Sequence, residues 1–225
     1  MIIQCDFDGT ITRNNLSVLL RENFAHSGWR KIDSDYLCGR LTVEQSNRQQ
    51  YALIKEPKEK LQQFVRQHIE VRPAFRQFVK QCLASGIRFT IVSSGLDFYI
   101  EIVLKDIGIP EVELYCAQTY FGQDGITVTY QDPEGNIIEK GFKKNYLTWL
   151  RKQNKPIIYI GDGLSDFEAA SAADYVFATD QLHRLLTASS TSHYIFSDFS
   201  DIWHQICQFE NWKASQTGEK GEPEL

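Results

Sequence analysis

Two aspartates separated by one residue follow the first apolar run of the chain. Asp6 and Asp8 come directly after residues 1–5, and Gly9 follows them. Carboxylates at this spacing in a loop can point the same way, so that one attacks phosphorus while the other handles the proton of the leaving group. A glycine allows the backbone to turn closely around a phosphate. A pair of solvated turn aspartates explains so short a motif equally well, so it needs support from other segments.

A short segment of serine and glycine follows a second apolar run. Ser93, Ser94 and Gly95 lie between a strand predicted at 87–92 and a helix predicted at about 96–107. A hydroxyl group and backbone N–H groups at the start of a helix bind phosphate oxygens well. An ordinary serine N-cap is the simpler interpretation of this segment considered alone.

A lysine pair begins a helix predicted at about 143–152. A cation at this end opposes the helix dipole, so Lys143 or Lys144 needs another purpose, and neutralising a phosphate and an aspartate is one. Either residue considered alone is most simply a solvated surface lysine.

A further acidic segment follows a strand predicted at 157–160. Asp162 is suited to bind Mg²⁺ through oxygen, although a plain Gly-Asp-Gly turn explains the segment as well. Ser165 and Glu168 have the spacing of a capping box that would begin the next helix.

The elements that position these segments alternate between strands and helices. Strands are predicted at 1–5, 87–92, 114–116 and 157–160, with helices between them. This order is typical of right-handed βαβ units and of a parallel sheet covered by helices on both faces. The four segments then meet at the carboxyl edge of the sheet, where the repulsion between clustered carboxylates is relieved by a divalent cation. Together they predict a phosphoryl-transfer site.

Three stretches depart from this alternation. Residues 12–70 form a helical insertion, in which Thr42 and Gln45 predict a capping box. Turn signals around an alternating run predict a β-hairpin within 120–139. Residues 213–225 are polar and are predicted to be disordered. This division leaves 1–11 and 71–212 as an α/β core.

The composition excludes several classes of partner. The 225 residues, 42% of them hydrophobic, are enough for one substantial core, and the net charge of −5 offers no basic surface for nucleic acid or acidic membranes. The five scattered cysteines indicate reduced core residues. No apolar run is long enough for a signal peptide or a membrane span, so we expect a cytoplasmic protein. The sequence is compatible with a homodimer.

The four segments, in this order and spacing, resemble the signature motifs of the haloacid dehalogenase-like phosphatase superfamily over nearly all of residues 1–210. The resemblance implies a three-layer, Rossmann-like parallel sheet with an inserted helical cap at 12–70. It also implies that Asp6 is the nucleophile, that Asp8 is the general acid and base, and that the product is released by hydrolysis of an aspartyl-phosphate.

The same resemblance implies the rest of the site. Mg²⁺ would be held by Asp6, the carbonyl of Asp8 and Asp162, with Asp166 supporting it. Ser93 would hold the phosphate together with N–H groups near Ser94 and Gly95. Lys143 fits the motif lysine better than Lys144, because Leu147 and Leu150 then fall at the positions where family members carry apolar residues.

The resemblance is strongest to the phosphoserine-phosphatase branch, but two positions differ. Asn15 and Gln50 stand where those enzymes carry a glutamate and an arginine that hold the amino acid, while Arg48 is retained. Phosphoserine is therefore predicted to be a poor substrate. Residues 72–78 and 96–99 are similar to the methionine-salvage phosphatases that act on 2-hydroxy-3-keto-5-methylthiopentenyl-1-phosphate, although Gly141 and Phe142 replace the cysteine-rich segment of that group.

Several alternatives stay open from the sequence. A phosphomutase shares the phosphoenzyme and differs only in the acceptor, and phosphoserine phosphatase remains an alternative activity. A non-catalytic phospho-accepting domain and a dehalogenase are disfavoured, because both lack an equivalent of Asp8. Within the insertion, some of Arg40, Arg48 and Tyr51 are predicted to contact the leaving group.

Overall fold

The computed structural model describes the backbone of residues 1–216 and the side chains of residues 1–209. Eight strands in this part of the chain form one sheet in the order β5-β4-β3-β2-β1-β6-β7-β8. The strands are β1 (Ile2–Cys5), β2 (Arg88–Leu96), β3 (Glu113–Gly122), β4 (Gly125–Gln131), β5 (Ile137–Ile138), β6 (Ile157–Gly161), β7 (Tyr175–Ala178) and β8 (Tyr194–Ile195). All neighbours from β3 to β8 are parallel, and β4 and β5 are added antiparallel. The predicted fold class is confirmed.

The register of the three central strands sets the position of the site. Cys5, the last residue of β1, lies level with Ile91 of β2 and with Ile160 of β6. The residues that follow on each strand therefore emerge at the same edge of the sheet. All residues of β1 are buried, as expected for a central parallel strand covered on both faces.

Helices cover both faces of the sheet. Ile3 and Cys5 point to a core that includes α5 (Phe75–Ala84) and α10 (Phe199–Gln216), while Ile2 points to a core on the other face. That second core is formed with α7 (Phe142–Arg151), α8 (Phe167–Ala170) and α9 (Asp180–Ala188). Successive side chains of β1 thus serve opposite layers, which makes a three-layer arrangement.

The helical insertion predicted from the sequence lies between β1 and β2. It contains α1 (Leu16–Phe24), α2 (Trp29–Leu37), α3 (Val43–Tyr51) and α4 (Lys58–His68). The capping box of Thr42 and Gln45 is confirmed at the start of α3. Thr12 and Val71 form an isolated antiparallel bridge where the chain leaves and re-enters the sheet region.

The remaining elements differ from prediction mainly in length. The strand predicted at 114–116 extends through Gly122 as β3 and turns directly into β4, so the predicted hairpin is built on the sheet itself. Helix α6 occupies Asp97–Asp106. Helix α10 includes 213–216 of the tail that was predicted to be disordered, and residues 217–225 lie outside the described residues. No helix within residues 1–216 is long and apolar enough to cross a membrane.

Arg72 fixes the loop that leaves β1. Its buried guanidinium donates hydrogen bonds of 2.8 Å to the carbonyl oxygens of Gly9, Thr10 and Ser197. We expect Arg72→Met to lower the free energy of unfolding by roughly 3 kcal/mol, because three carbonyl groups, two of them in buried hydrogen bonds, lose a charged donor. Urea unfolding monitored by circular dichroism measures this.

Arg66→Met is the matched control. Arg66 pairs with Asp106 on the surface, where both side chains are about half exposed, so its loss should cost less than about 1 kcal/mol. Equal losses for the two variants would contradict the role assigned to Arg72.

Candidate active site

The first aspartate of the chain lies at the end of the central strand. Asp6 is 4% exposed, and its backbone N–H donates to the carbonyl oxygen of Ile160 over 2.9 Å, which ties the loop to β6. Carboxylate oxygens of Asp6, Asp162 and Asp166 lie within 4.8 Å of one another. The segments that the sequence singled out after β1 and β6 therefore do meet.

Lys143, and not Lys144, reaches this group of carboxylates. Its ammonium nitrogen lies 2.8 Å from Asp6 Oδ1 and 2.6 Å from Asp166 Oδ1, and the side chain is 3% exposed. Lys144 instead donates to the carbonyl oxygen of Glu168 at the surface. The positive end of α7 is offset by Glu44 of α3, whose buried carboxylate accepts the N–H of Phe142 over 2.8 Å.

Asp166 organises the turn that carries Asp162. Its Oδ2 accepts the backbone N–H groups of Asp162 and Gly163 at 3.1 and 2.9 Å, while its Oδ1 accepts the hydroxyl of Tyr159. The predicted capping box of Ser165 and Glu168 is wrong. A 3₁₀ turn at Leu164–Asp166 precedes α8, because the carboxylate of Asp166 takes the free N–H groups of the turn.

Asp8 is held by two donors on separate elements. Its Oδ1 accepts the N–H of Leu16 at the start of α1 over 2.9 Å, and its Oδ2 accepts the hydroxyl of Tyr99 from α6. The sequence interpretation did not assign Tyr99 to the site. The available signal was its position four residues after Gly95, which places it on the first turn of the helix after β2.

The serine segment belongs to a strand and not to a helix N-terminus, which corrects the sequence interpretation. β2 continues through Leu96, and Ser93 Oγ accepts the N–H of Gly95 over 3.0 Å. A Cβ atom on Gly95 would lie 2.3 Å from the hydroxyl oxygen of Tyr99 and 2.8 Å from Asp8 Oδ2. Only glycine fits there, so the strand can approach the carboxylate closely.

Gly9, in the loop after β1, also occupies a position where a side chain would clash. Its φ of +82° is in the left-handed region, and an added Cβ would lie 2.2 Å from Asp162 Oδ2. The absence of a side chain therefore brings the loop after β1 against the loop after β6.

Burial and mutual repulsion dominate the electrostatics of the carboxylates. Burial, reinforced by the charge of Asp166 and opposed by Lys143, raises the pKa of Asp6 to about 6. Burial also raises the pKa of Asp162 well above its ordinary value, and the charges of Asp166 and Asp6 add to this. Burial alone would lower the pKa of Lys143, but Asp166 and Asp6 outweigh it and raise that pKa.

These groups fit a divalent cation. Hard cations prefer carboxylate and carbonyl oxygens, and Asp6, Asp162 and Asp166 offer such atoms within one small volume. Without a cation, repulsion between the carboxylates favours keeping some of them protonated. A bound cation would replace those protons. Asp166 already accepts four hydrogen bonds, so Asp6 and Asp162 are the better placed ligands and Asp166 supports the turn.

A cavity of about 240 Å³ opens beside these residues. Its lining includes Asp6, Asp8, Ser93, Ser94, Gly95, Lys143 and Asp162, together with residues of the insertion such as Asn15, Ser17, Arg21, Tyr36, Asn47 and Gln50. Both positions that the sequence marked for specificity therefore face it. Asn15 also caps α1 through the N–H of Val18, and Gln50 donates to the carbonyl oxygen of Trp29.

Some of Arg40, Arg48 and Tyr51 were predicted to contact the leaving group, but none of the three lines this cavity. Arg48 points to the hairpin, where it donates to the carbonyl oxygens of Val128 and Ile138. Arg40 pairs with Asp35 on the surface, and the buried Tyr51 bonds Ser17. Arg21 was missed, although its spacing of four residues from Ser17 on α1 gave a polar pair on an otherwise apolar helix face.

Comparison with known proteins identifies the family. Residues 3–171 match the model of the haloacid dehalogenase-like hydrolase family. The chain therefore belongs to this family.

Named relatives agree on the kind of enzyme. The chain is 31% identical over 223 residues, 96% of either protein, to a 2-hydroxy-3-keto-5-methylthiopentenyl-1-phosphate phosphatase of Bacillus pumilus. It is 28% identical to the protein of that name in Brevibacillus brevis, over 90% of this chain and 93% of the relative. Within its family the chain is a phosphatase.

Solved structures share the fold. A substrate-bound phosphoserine phosphatase superposes with a TM-score of 0.67 at 19% identity, covering 91% of this chain and 97% of that one. A phosphoserine phosphohydrolase-like protein from Francisella tularensis gives 0.66 at 17% identity, with 91% and 98% covered.

The two lysines of α7 allow a matched test of the site. Lys143→Met should lower kcat/KM for p-nitrophenyl phosphate by at least about a hundredfold, because the charge facing Asp6 is lost from a buried site. Lys144→Met removes a lysine from the same helix but from its exposed side, and should change kcat/KM by less than about threefold. Steady-state kinetics measures both, and a larger loss in the Lys144 variant would contradict the assignment.

Proposed function

We propose that this enzyme hydrolyses a small phosphomonoester in two steps through an aspartyl-phosphate on Asp6. The observation that carries the proposal is the pairing of two differently held aspartates at one cavity. Asp6 faces Lys143 at 2.8 Å, while Asp8 is held by Tyr99 and the start of α1. Asp6 is thus paired with an ammonium group, whereas Asp8 accepts its hydrogen bonds from neutral donors, which suits a nucleophile and an acid.

In the first step the carboxylate of Asp6 attacks phosphorus, and the bond from phosphorus to the leaving oxygen breaks. Asp8 gives its proton to that oxygen. Burial raises the pKa of Asp8, against the hydrogen bonds from Tyr99 and Leu16, which favours the protonated form that this step needs.

In the second step Asp8, now a carboxylate, takes a proton from a water molecule that attacks phosphorus. The bond from phosphorus to Asp6 breaks, and inorganic phosphate is released. Lys143 and Ser93 hold the phosphate oxygens during both steps, with backbone N–H groups near Ser94 and Gly95. Mg²⁺ bound by Asp6, the carbonyl of Asp8 and Asp162 would supply positive charge to the transferred group.

For the substrate we place 2-hydroxy-3-keto-5-methylthiopentenyl-1-phosphate first, since relatives of nearly equal length carry that name. L-Phosphoserine is placed behind it. Asn15 supplies no negative charge for an ammonium group, and Gln50 is engaged with Trp29 and Asp33. We also propose that helices α1–α4 close over the site as a cap. The proposed location of the enzyme is the cytoplasm.

Variants of the two aspartates test the mechanism. Asp6→Asn should lower turnover of p-nitrophenyl phosphate to less than about a hundredth, because an amide does not attack phosphorus. Asp8→Asn should release about one equivalent of p-nitrophenolate in a burst and then turn over slowly, since that leaving group needs no proton but the attacking water needs a base. Stopped-flow absorbance follows both reactions, and thermal unfolding checks the fold.

Two outcomes would count against this mechanism. One is an Asp6→Asn enzyme that keeps more than about a hundredth of the wild-type rate, since acid and base assistance alone accounts for a factor of roughly 10² to 10⁴. The other is an Asp8→Asn enzyme that shows no burst.

The raised pKa of Asp6 predicts how Mg²⁺ changes stability with pH. Without metal, the folded chain keeps a proton up to about pH 6, whereas the unfolded chain loses it near pH 4. The stability contributed by that proton is present below about pH 4 and is lost as the pH rises through 6. Mg²⁺ replaces the proton, so its stabilising effect should be larger at pH 7.5 than at pH 5.

Differential scanning fluorimetry in EDTA and in excess Mg²⁺ measures this effect. At pH 7.5 we expect Mg²⁺ to raise Tm by at least about 5 °C, and activity to be lost in the chelator. Asp162→Asn should reduce the rise, and Ca²⁺ should restore little activity because it takes more ligands at longer distances. A rise that is equal at both pH values would contradict the metal assignment.

A further inference from the structure

Arg21 is a buried cation at the cavity with an incomplete set of partners. It extends from α1, it is 6% exposed, and it lines the cavity that contains Asp6 and Asp8. One of its nitrogens donates to Ser17 Oγ over 2.8 Å and to Asn47 Oδ1 over a long 3.5 Å. Its Nε–H is buried without an acceptor, and within residues 1–209 no carboxylate forms an ion pair with it.

The contrast with Arg72 shows what a structural arginine looks like in this chain. Arg72 is equally buried, yet three of its nitrogens donate to three carbonyl oxygens at 2.8 Å. A buried guanidinium that lacks such partners costs stability, because its hydration has been removed without full replacement. The position of Arg21 is therefore explained better by something that enters the cavity than by the fold.

Neighbouring groups do not use the free donors of Arg21. Asp8 accepts from Leu16 and Tyr99 and makes no hydrogen bond with Arg21 in the described residues, although the charge of Arg21 acts to lower the pKa of Asp8 against burial. The amide nitrogen of Asn47 is committed to the carbonyl oxygen of Ser94 and the hydroxyl of Tyr130, so its oxygen is turned toward Arg21. These contacts orient the guanidinium and leave its remaining N–H groups without a protein acceptor.

Arg21 lies on a different element from the groups that are proposed to hold the phosphate. Among the residues that line this cavity, the cations are Arg21 and Lys143. Lys143 is paired with Asp6 and Asp166. Arg21 lies on the same helix whose first N–H holds Asp8, and Asp8 is the group that protonates the leaving oxygen in the proposed mechanism. In that mechanism Arg21, whose charge acts on Asp8, would lie on the side of the leaving group.

We infer that Arg21 binds an acceptor oxygen on the alcohol portion of the substrate, and that the enzyme selects phosphomonoesters with a carboxylate or ketone oxygen close to the ester. The inference rests on the proposed function. A guanidinium offers paired donors to such oxygens, and a substrate that lacks them leaves the buried cation unpaired. Selection then comes from the penalty on the wrong substrate as much as from attraction to the right one.

Matched pairs of esters test this inference. Phosphoglycolate and ethyl phosphate differ by a carboxylate in place of a methyl group, and hydroxyacetone phosphate and propyl phosphate differ by one ketone oxygen. For each pair the ratio of kcat/KM is measured with Mg²⁺ in the wild type, Arg21→Met, Arg21→Lys and Arg48→Met. The first pair tests whether the oxygen that Arg21 binds belongs to a carboxylate. The second pair tests whether it belongs to a ketone.

In the wild type at least one pair should favour the oxygenated ester by about tenfold or more, since a charged hydrogen bond gained or lost corresponds to roughly 10- to 100-fold. Arg21→Met should lower that ratio by about tenfold or more, and Arg21→Lys should restore part of it. Arg48→Met, which removes an insertion arginine that faces the hairpin, should leave the ratio unchanged.

Stability gives a second readout. Arg21→Met should unfold at a Tm no lower than that of the wild type, because an incompletely paired buried cation is removed. A ratio that falls by less than tenfold in Arg21→Met, or a wild type that does not distinguish either pair, would overturn the inference. An enzyme that hydrolyses none of the four esters and does not hydrolyse p-nitrophenyl phosphate would instead count against the proposed function.

Discussion

The buried ammonium group of Lys143 is the interaction on which the arrangement at the sheet edge depends. It lies between Asp6 on the loop after β1 and Asp166 on the turn after β6. Without it, the carboxylates of Asp6, Asp162 and Asp166, which come from two chain segments, would repel one another at a largely buried site. The lysine therefore links two adjacent strand ends and opposes the rise that burial causes in the pKa of Asp6.

Much of this site could be predicted from the sequence because it depends on short-range rules. Apolar runs that end in polar turns locate the strand ends, and alternation with helices indicates that these ends share one edge. Asp6, Asp8 and Asp162 were found this way, and spacing to Leu147 and Leu150 favoured Lys143. The contacts between these residues depend on strand register, which local sequence does not specify. The continuation of β2 past Ser93 and the 3₁₀ turn at 164–166 depend equally on tertiary contacts.

The wall of the cavity formed by the insertion was predicted least well. Arg48 was a candidate for substrate contact because it is a cationic residue of the insertion. Its guanidinium instead donates to carbonyl oxygens on β4 and β5. Arg21 was not singled out from the sequence, although it is buried and lines the cavity. Which arginine faces the cavity is decided by the rotation of α1 and α3 against the sheet. That rotation is a property of long-range packing, and residue type alone does not reveal it.

The contact between Glu44 and α7 ties the insertion to the helix that carries Lys143. Glu44 belongs to the insertion, whereas the N–H that it accepts belongs to the helix that carries Lys143. The insertion therefore completes the start of α7 in addition to lining the cavity. In a chimaera with a different insertion, the N-terminus of α7 beside Lys143 would lose this compensating acceptor. The lining of the cavity and the start of the helix that carries Lys143 are therefore not independent of each other in this chain.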